Sequence, residues 1–316
     1  MSQNQNNPAR PPISPALAFV FGILAVSTAS IFIRYAQDEA PSLVIAAWRL
    51  TIATLVLLPA AYFRKRAELR TLTRGEVRLA LLSGAFLALH FATWITSLEY
   101  TTVASSVVLV STTPLWVALL SPFALKERVG RMVLIGMALA LVGGGIVGVS
   151  DTCTWQAGQL ACPPLSEFVQ GEAFLGDLLA LAGAFAAAAY LLIGRKLRAR
   201  ISLISYVFVV YGMAAVCLVL IMLAAGQTPF GYSPATFLWF ILLALVPQLL
   251  GHSTFNWALG YLSAAYVSIT LLGEPIGSTV LAYFLLSETP SLIKVVGGIL
   301  ILLGIYVASL QSNPKT

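Results

Sequence analysis

The feature that most constrains the fold of this chain is an internal repeat within apolar sequence. A shift of 161 positions without gaps places the segment that begins at Thr93 on the segment that begins at Thr254. Identical pairs in this register are Leu98 and Leu259, Tyr100 and Tyr261, Ala104 and Ala265, Pro114 and Pro275, Glu127 and Glu288, Gly136 and Gly297, and Gly143 and Gly304. Hydrophobic bias inflates the Leu and Ala matches, but the aligned Pro, Glu and Gly residues indicate a duplication. We therefore expect two related halves.

The apolar content places both halves in a membrane. Hydrophobic residues make up 59% of the 316 residues and charged residues only 9%, against about 25% charged residues in an average soluble domain. Stretches of roughly 17–25 apolar residues are long enough to span a bilayer. Such stretches occur at 14–35, 42–63, 77–98, 102–124, 130–149, 173–194, 202–225, 235–258, 262–286 and 291–310. The predicted fold class is an all-α polytopic membrane protein with ten transmembrane helices, five in each repeat.

The spans and the repeat divide the chain into segments. The predicted segments are a disordered N-terminus at 1–13, a first repeat at 14–149, an outer loop at 150–172, a second repeat at 173–310 and a tail at 311–316. The first apolar stretch is too long for the core of a signal peptide, so it is interpreted as the first helix.

Positive charge is distributed unevenly around these spans. With a cytoplasmic N-terminus, 15 of the 18 Lys and Arg residues lie in cytoplasmic loops and termini. The outer side holds only Arg34 and Lys294, and Arg49 lies inside the second span. The positive-inside rule therefore predicts that both termini are cytoplasmic, in a multi-pass protein of the cell (inner) membrane. Because each repeat has an odd number of spans, the second repeat is inverted relative to the first.

A duplicated, inverted bundle is typical of secondary transporters, whose substrate site lies between the repeats. Residues 143–148 match the dinucleotide pattern G-x-G-x-x-G, but they lie inside a span, where they favour close helix packing instead. The sequence has no Walker loop, no H-E-x-x-H and no G-x-S-x-G motif. We therefore expect no ATP site in this chain, no cofactor, no metal, no enzymatic activity and no nucleic-acid partner. The expected partners are a small-molecule substrate and the bilayer; the chain could act as a monomer, and the sequence leaves its oligomeric state open.

A second recurring pattern carries a resemblance. It comprises Pro114, Leu125-Lys126-Glu127-Arg128, Gly136 and Gly143 in the first repeat, and Glu274-Pro275, Leu286-Ser287-Glu288-Thr289, Gly297 and Gly304 in the second. Together with Ala47-Trp48-Arg49-Leu50, this pattern resembles the EamA family of the drug/metabolite transporter superfamily over residues 14–310, and within it the YddG-type amino-acid exporters. The resemblance implies a basket-like bundle, a central cavity and alternating access, without identifying the cargo. It also implies that Glu127 and Glu288 end their helices and cap or pair locally.

Polar side chains recur at helical spacing on two spans that are equivalent under the repeat. They are His90, Thr93, Trp94 and Ser97 on the third span, and Gln248, His252 and Asn256 on the eighth. The two histidines are one residue out of register. A polar cavity shared by both repeats is the favoured explanation, and hydrogen bonds to adjacent helices are the alternative. Either histidine could titrate near neutral pH, which leaves proton coupling open.

The fourth and ninth spans carry the next candidates. These are Ser105, Thr112 and Trp116 on the fourth span, and Thr270, Glu274 and Ser278 on the ninth. Pro114 and Pro275 should each disrupt a backbone hydrogen bond to the carbonyl four residues earlier, at Val110 and Leu271. A carbonyl freed in this way could accept a substrate ammonium group; a simple kink is the alternative for Pro114. The predicted hinges are Pro114, Gly273, Pro275 and Gly277.

Glu274 is the sharpest single candidate, because an ionisable side chain within a span is costly and usually functional. Three roles stay open: it could pair with a substrate amine, bind a coupling proton or form a structural ion pair with Arg49. Among the aromatic residues, Trp94 and Trp116 share a face with the polar stripes and are predicted to line the cavity.

The chain contains three cysteines. Cys153 and Cys162 share the predicted outer loop and could form a disulfide in an oxidising compartment; two unpaired thiols are the alternative. Cys217 is predicted to be a small packing residue.

The leading hypothesis is an exporter of small metabolites, with neutral zwitterionic amino acids, aromatic ones included, as the first choice. A phosphorylated cargo would require clustered basic residues, and the spans offer only Arg49 and, near an outer end, Arg34. A cationic drug would suit a carboxylate in the first helix, which has none, so multidrug export is the runner-up. An intramembrane enzyme built on His90, His252 and Glu274, and a scaffold that transports nothing, are remote alternatives.

Overall fold

The computed structural model describes residues 13–125, 131–152, 154–156, 159–161 and 170–310. Across these ranges the regular structure is helical, apart from the antiparallel hairpin of β1 (Thr154–Gln156) and β2 (Gln159–Ala161). Glu127, Cys153, Cys162, the predicted tail at 311–316 and all of the predicted N-terminal segment except Ile13 lie outside the described residues.

Helices occupy the positions of the ten predicted spans. Eight of them are long and apolar enough to cross a membrane: α1 (Pro15–Gln37), α2 (Ser42–Arg64), α3 (Arg74–Tyr100), α4 (Val103–Ala124), α6 (Glu172–Arg198), α7 (Leu203–Ala224), α8 (Pro234–Ala258) and α9 (Ala264–Leu285). The helices α5 (Arg131–Thr152) and α10 (Leu292–Ser309) carry shorter apolar stretches within the described residues. A short helix, Arg66–Thr71, follows α2. The prediction of a helical, multi-span membrane protein is confirmed with eight candidate spans, and the count of ten stays a prediction.

Two of the spans are interrupted at equivalent positions. The first part of α4 ends at Val110 and the second begins at Thr113, while the corresponding parts of α9 end at Thr270 and begin at Gly273. Each second part has its proline in the first turn, where the missing amide hydrogen costs nothing. In α1, a break at Thr28 separates Pro15–Ser27 from Ala29–Gln37.

The prediction that the prolines leave free carbonyls is wrong. The Val110 carbonyl accepts a hydrogen bond from Thr113 Oγ1 at 2.8 Å. The Leu271 carbonyl accepts one from the backbone N–H of Glu274 at 2.9 Å. The helices restart within three residues of each carbonyl, so their own first turns supply the donors that the prolines lack.

The helix α8 contains a π-helical segment, Ala244–His252, between the α-helical parts Pro234–Leu243 and Ser253–Ala258. The π-helical segment is explained by a difference in residue spacing between the two halves. The N-caps of α3 and α4, Thr73 and Thr102, are 29 residues apart, whereas those of α8 and α9, Ser233 and Ser263, are 30 apart. A π-bulge absorbs an extra residue without changing the helix ends.

Two hydrogen-bond patterns recur in both halves at the predicted 161-residue offset. Arg34 Nη1, near the end of α1, donates to the Leu98 carbonyl, and Arg195 Nη1, near the end of α6, donates to the Leu259 carbonyl. The second equivalent pair is Gln37 Nε2 to the Ile95 carbonyl and Arg198 Nε to the Asn256 carbonyl. The first helix of each half therefore holds the end of the third helix in the same way.

The helices α5 and α10 pack closely and run antiparallel. A Cβ atom on Gly143 would lie 2.6 Å from the Gly297 carbonyl oxygen, and one on Gly304 would lie 2.5 Å from the Gly136 carbonyl oxygen. These distances are shorter than van der Waals contact, so glycine permits this approach. The main core is formed by the other helices, with α3 against α6, α2 against α7 and α1 against α8.

Candidate functional site

A cavity lies where α3, α4, α6, α8 and α9 meet. Its polar and aromatic lining residues are His90, Trp94, Ser111, Thr113, Tyr190, His252, Phe255, Ser268 and Glu274. Its other lining residues are Val110, Pro114, Ala187, Leu191 and Leu271. The equivalent pairs Val110 and Leu271, and Thr113 and Glu274, all line it, so the breaks in α4 and α9 both contribute to its wall. Both halves of the chain therefore build the cavity.

The cavity is narrow in this conformation. The volume of the cavity that is open to water is about 50 Å³. A single water needs roughly 10–15 Å³ on this measure, whereas pockets for metabolites usually measure about 300–1,000 Å³. The cavity accommodates a few water molecules here, and a metabolite would require a wider conformation.

The two predicted histidines lie in this cavity, with ring centroids 6.3 Å apart. The His90 ring stacks on Trp94 at 5.7 Å with an interplanar angle of 11°, and His90 Nδ1 lies 3.0 Å from the Gly183 carbonyl oxygen. Gly183 allows α6 to approach α3, because a Cβ atom there would lie 3.2 Å from both Thr93 and Trp94. The sequence stripe on α3 thus faces α6 as well as the cavity.

The Glu274 carboxylate makes no hydrogen bond and no ion pair within the described part of the chain. Arg49, its predicted structural partner, is fully buried and lies within electrostatic reach, but the two side chains are not in ion-pair contact. The proposed direct pair of Glu274 and Arg49 is therefore wrong for this conformation. Two of the three predicted roles for Glu274 remain: pairing with a substrate amine and binding a proton.

Arg49 contacts α8 and α3 instead. Its Nε donates to Gln248 Oε1 at 2.8 Å, and its guanidinium carbon lies 4.2 Å from the centroid of the Phe91 ring. Gln248 is also fully buried. Gln248 was expected to bind substrate directly; here it lies outside the cavity wall, next to Arg49.

Several predicted polar residues form hydrogen bonds within their own helices. Ser97 donates to the Trp94 carbonyl, Thr112 to the Leu109 carbonyl and Thr270 to the Val267 carbonyl. Each bond reaches back three residues, which satisfies the hydroxyl locally. None of the three lines the cavity in this conformation, and their role in substrate binding stays a prediction.

Trp116, Ser278 and Asn256 also lie outside the cavity wall. The Trp116 ring makes an edge contact with Phe185 at 5.5 Å. The Ser278 hydroxyl donates to the Ser27 carbonyl at 3.1 Å, which joins α9 to α1. A Cβ on the predicted hinge Gly277 would be 2.3 Å from Ser27 Oγ, and one on Gly273 would be 2.8 Å from Ile23, so both glycines serve close packing against α1.

Asn256 belongs to a hydrogen-bonded network behind the cavity. Its Oδ1 accepts from the Tyr190 hydroxyl at 2.6 Å, and its Nδ2 donates to the Tyr211 hydroxyl at 3.2 Å. The Tyr211 hydroxyl in turn lies 3.2 Å from Ser253 Oγ. Tyr190 is one of the lining residues that sequence reasoning missed, with Ser111, Phe255 and Ser268; its signal was a single polar aromatic residue that ends the run of alanines at 186–189.

Glu288 joins the two halves at the predicted outer end. Its Oε1 lies 3.1 Å from Arg34 Nη2, and its Oε2 accepts from the backbone N–H of Val103 at 2.9 Å. The positive end of the α4 dipole lies at this first turn and stabilises the carboxylate. Glu288 was expected to cap or pair locally, but the helix that it caps belongs to the other half. Nearby, Lys294 Nζ donates to Thr102 Oγ1 at 2.8 Å.

The described residues contain no group of three or more His, Cys, Asp or Glu side chains arranged to hold a metal ion. Cys217 is a free thiol on α7, partly buried beside the main core, where it was predicted to pack.

Comparisons with known proteins agree with this architecture. The chain is 22% identical over 284 residues to an uncharacterised transporter of Archaeoglobus fulgidus, covering 90% of this chain and 93% of that protein. It is 27% identical over 261 residues to an uncharacterised transporter of Synechocystis, covering 79% and 70% of the two chains. A solved crystal structure with 21% sequence identity has the same fold, with a TM-score of 0.65 over 94% of this chain and 96% of that chain.

The family comparison covers both halves. The sequence pattern of the EamA-like transporter family matches residues 13–149 and, a second time, residues 174–310. The second match begins and ends 161 residues after the first, which is the offset of the internal repeat. The chain belongs to the EamA-like transporter family.

Proposed function

We propose that this protein is a secondary transporter of the inner membrane that exports small zwitterionic metabolites, with amino acids as the leading class. The observation that carries the proposal is the cavity between the two halves, where broken helices from both repeats form part of the wall and the unpaired Glu274 carboxylate of α9 shares that wall with aromatic rings. Discontinuous helices around such a cavity are typical of transporter substrate sites. The Glu274 carboxylate suits a substrate ammonium group, and the rings of His90 and Trp94 suit an apolar or aromatic side chain.

The proposed architecture is ten spans in two inverted five-helix repeats, at 14–149 and 173–310. Equivalent helices that run antiparallel support the inversion. The pair α5 and α10 does so through its glycine contacts. The first half of α2 meets the connection that follows α7, where Trp48 Nε1 donates to the Pro229 carbonyl at 2.8 Å. The charge distribution supports cytoplasmic termini as part of this proposal.

The proposed mechanism is alternating access, in which one half rocks against the other around the cavity. Two polar ties between the halves would have to break in turn. The outer tie consists of Glu288 with Arg34 and Val103. The inner tie consists of Glu68, whose carboxylate accepts from both the backbone N–H and the hydroxyl of Ser202 at 2.6 Å. Both ties are formed here, which agrees with the narrow cavity.

A cationic drug is the second candidate cargo. The same unpaired carboxylate of Glu274 and the neighbouring aromatic rings would suit it, since a cation over an aromatic face is a recurrent mode of recognition. The two cargo classes differ in one chemical group, the carboxylate that an amino acid carries and a cationic drug lacks.

The test is efflux from liposomes that hold the purified protein. Labelled aromatic and aliphatic amino acids and a quaternary ammonium compound are loaded inside, and release is followed with and without a proton gradient. We expect amino-acid release above the rate of protein-free liposomes, and dependence on the gradient would add proton coupling. Release of the quaternary ammonium compound alone would overturn the amino-acid assignment, and release of neither class would overturn both.

A further inference from the structure

Buried hydrogen-bond donors without partners cluster next to the cavity. Both Nη1 and Nη2 of Arg49 are enclosed by protein and have no hydrogen-bond partner in the described structure. The Nε2 of Gln248 is enclosed as well, with the Tyr211 hydroxyl near it but outside hydrogen-bond geometry. The two side chains are bonded to each other through Arg49 Nε and Gln248 Oε1. Buried polar groups are nearly always paired, and charged ones most of all, so such a cluster requires an explanation.

The unpaired atoms of Arg49 and Gln248 are all donors. A guanidinium and an amide nitrogen can only donate, so the missing partner must be an acceptor. The two Nη atoms of an arginine form a planar fork that matches the two oxygens of a carboxylate. Trp94 Nε1, which belongs to a residue of the cavity wall, is a further buried donor without a partner.

The opposite charges of Arg49 and Glu274 restrict the kind of ligand that the site can bind. Arg49 supplies a positive group, and Glu274 supplies a negative group within its electrostatic reach but outside ion-pair contact. A ligand that carries only a negative charge would be repelled by Glu274, and a ligand that carries only a positive charge would leave Arg49 unpaired. A zwitterion satisfies both groups at once.

The donors lie behind aromatic side chains that form or adjoin the cavity wall. The Phe91 ring covers the guanidinium at 4.2 Å and contacts the His90 and His252 rings at 4.7 and 5.3 Å. Gln248 and His252 both lie in the π-helical segment of α8. Segments of this kind are frequent at functional sites, and a rearrangement here would open a path from the cavity to Arg49 as the cavity widens.

We propose that Arg49 and Gln248 form a subsite that binds the carboxylate of a zwitterionic substrate, opposite the Glu274 carboxylate, which binds its ammonium group. The proposal rests on the proposed transport function and names the substrate class that the site selects. It assigns Arg49 to recognition, where sequence reasoning gave it a structural charge.

The test compares L-phenylalanine with L-phenylalaninamide, which lacks only the carboxylate, as competitors of labelled phenylalanine efflux from liposomes. The wild type should prefer the acid by about 10- to 100-fold, the value of a hydrogen bond to a charged group. In Arg49→Gln this preference should disappear, because the affinity for the acid falls and that for the amide does not. Arg34→Gln, an arginine substitution at the outer tie, is the control that should keep the preference.

A second variant keeps the test decisive if Arg49→Gln fails to fold. Gln248→Glu places a carboxylate permanently beside the unpaired donors. It should raise the Tm of the purified protein and abolish the preference for the acid. A lowered Tm would mean that the donors already have a partner, which would overturn the subsite.

A wild type that moves phenylalanine with no preference for the acid, or a folded Arg49→Gln that keeps the preference, would overturn the subsite alone. A wild type that moves no amino acid would overturn the proposed function as well.

Discussion

The helices α3 and α8 occupy equivalent positions in the two halves, yet they build different parts of the site. The helix α3 is α-helical from Arg74 to Tyr100 and presents His90 and Trp94 to the cavity. The helix α8 contains one more residue between N-caps and absorbs it in the π-helical segment, which presents His252 to the cavity and Gln248 to Arg49. Gene duplication supplies a symmetric scaffold here, and one additional residue makes its centre asymmetric.

The largest effect should come from removing that residue. Deletion of Leu250, whose side chain is 62% exposed, would restore the 29-residue spacing of N-caps found in the first half and turn Gln248 by about 100° relative to His252. We expect transport to fall to background while the protein still folds as a helical bundle, which efflux and circular dichroism would measure. Leu250→Ala keeps the residue count and should transport normally. Wild-type rates in the deletion variant would show that the π-helical segment has no part in the site.

A second asymmetry concerns charge. The position equivalent to Glu274 in the first half is Thr113, which also lines the cavity. Glu274→Gln should lower the efflux rate by about 10- to 100-fold, because it removes the group proposed to bind the substrate amine. Glu172→Gln, at the exposed start of α6, serves as the control. Normal rates in a correctly folded Glu274→Gln would refute the assigned role.

The two histidines allow a smaller and sharper comparison. His90 is fixed by the Gly183 carbonyl, whereas no hydrogen bond is found for the His252 ring within the described residues. His90→Ala removes one buried polar contact. It should therefore lower the Tm and also lower the efflux rate by about 10-fold. His252→Ala should lower the efflux rate and leave the Tm within about 2 °C. Equal Tm changes in the two variants would contradict this division.

Particular residues show how far the sequence could predict this site. Helical periodicity and the repeat together place His90 and His252 on one cavity, because equivalent helices of a duplicated bundle meet near its axis. The same periodicity misplaces Ser97, Thr112 and Thr270. Their hydroxyls bond to carbonyls three residues back, and no sequence pattern separates a locally satisfied hydroxyl from one that faces a cavity.

Other features depend on tertiary contacts or on counting residues. Tyr190 reaches the cavity because the small residues before it let α6 approach α3, which requires knowledge of the helix pairing. The π-helical segment could be inferred only from the difference of one residue between the N-cap spacings. The glycine contacts of α5 and α10, in contrast, follow directly from the predicted close packing at Gly143.

The smallest expected effects concern the two ties between the halves, which differ in exposure and geometry. Glu68 receives two hydrogen bonds from Ser202. Partial burial acts to raise the pKa of Glu68, but the hydrogen bonds from Ser202, Ser205 and Lys65 together outweigh it and hold the pKa below its ordinary value. A carboxyl group with a lowered pKa in the folded state stabilises the protein above its unfolded pKa and loses that contribution as the pH falls through the folded pKa. The inner tie is therefore intact at neutral pH and weakens only in acid.

Glu288 and Arg34 keep 19% and 32% of their side chains exposed, and a partly exposed ion pair contributes about 0–1 kcal/mol. Glu288→Gln should therefore change the Tm little, yet it should loosen the outer end, since it weakens the contact to Arg34 and the cap of α4. We expect faster reaction of a cysteine placed at Glu99 with a membrane-impermeant thiol reagent added outside, by about 2- to 5-fold for 0.5–1 kcal/mol. Glu68→Gln should slow the same reaction, because weakening the inner tie favours the conformation that is closed outside. If both variants change the reaction in the same direction, the two ties do not act as alternating closures.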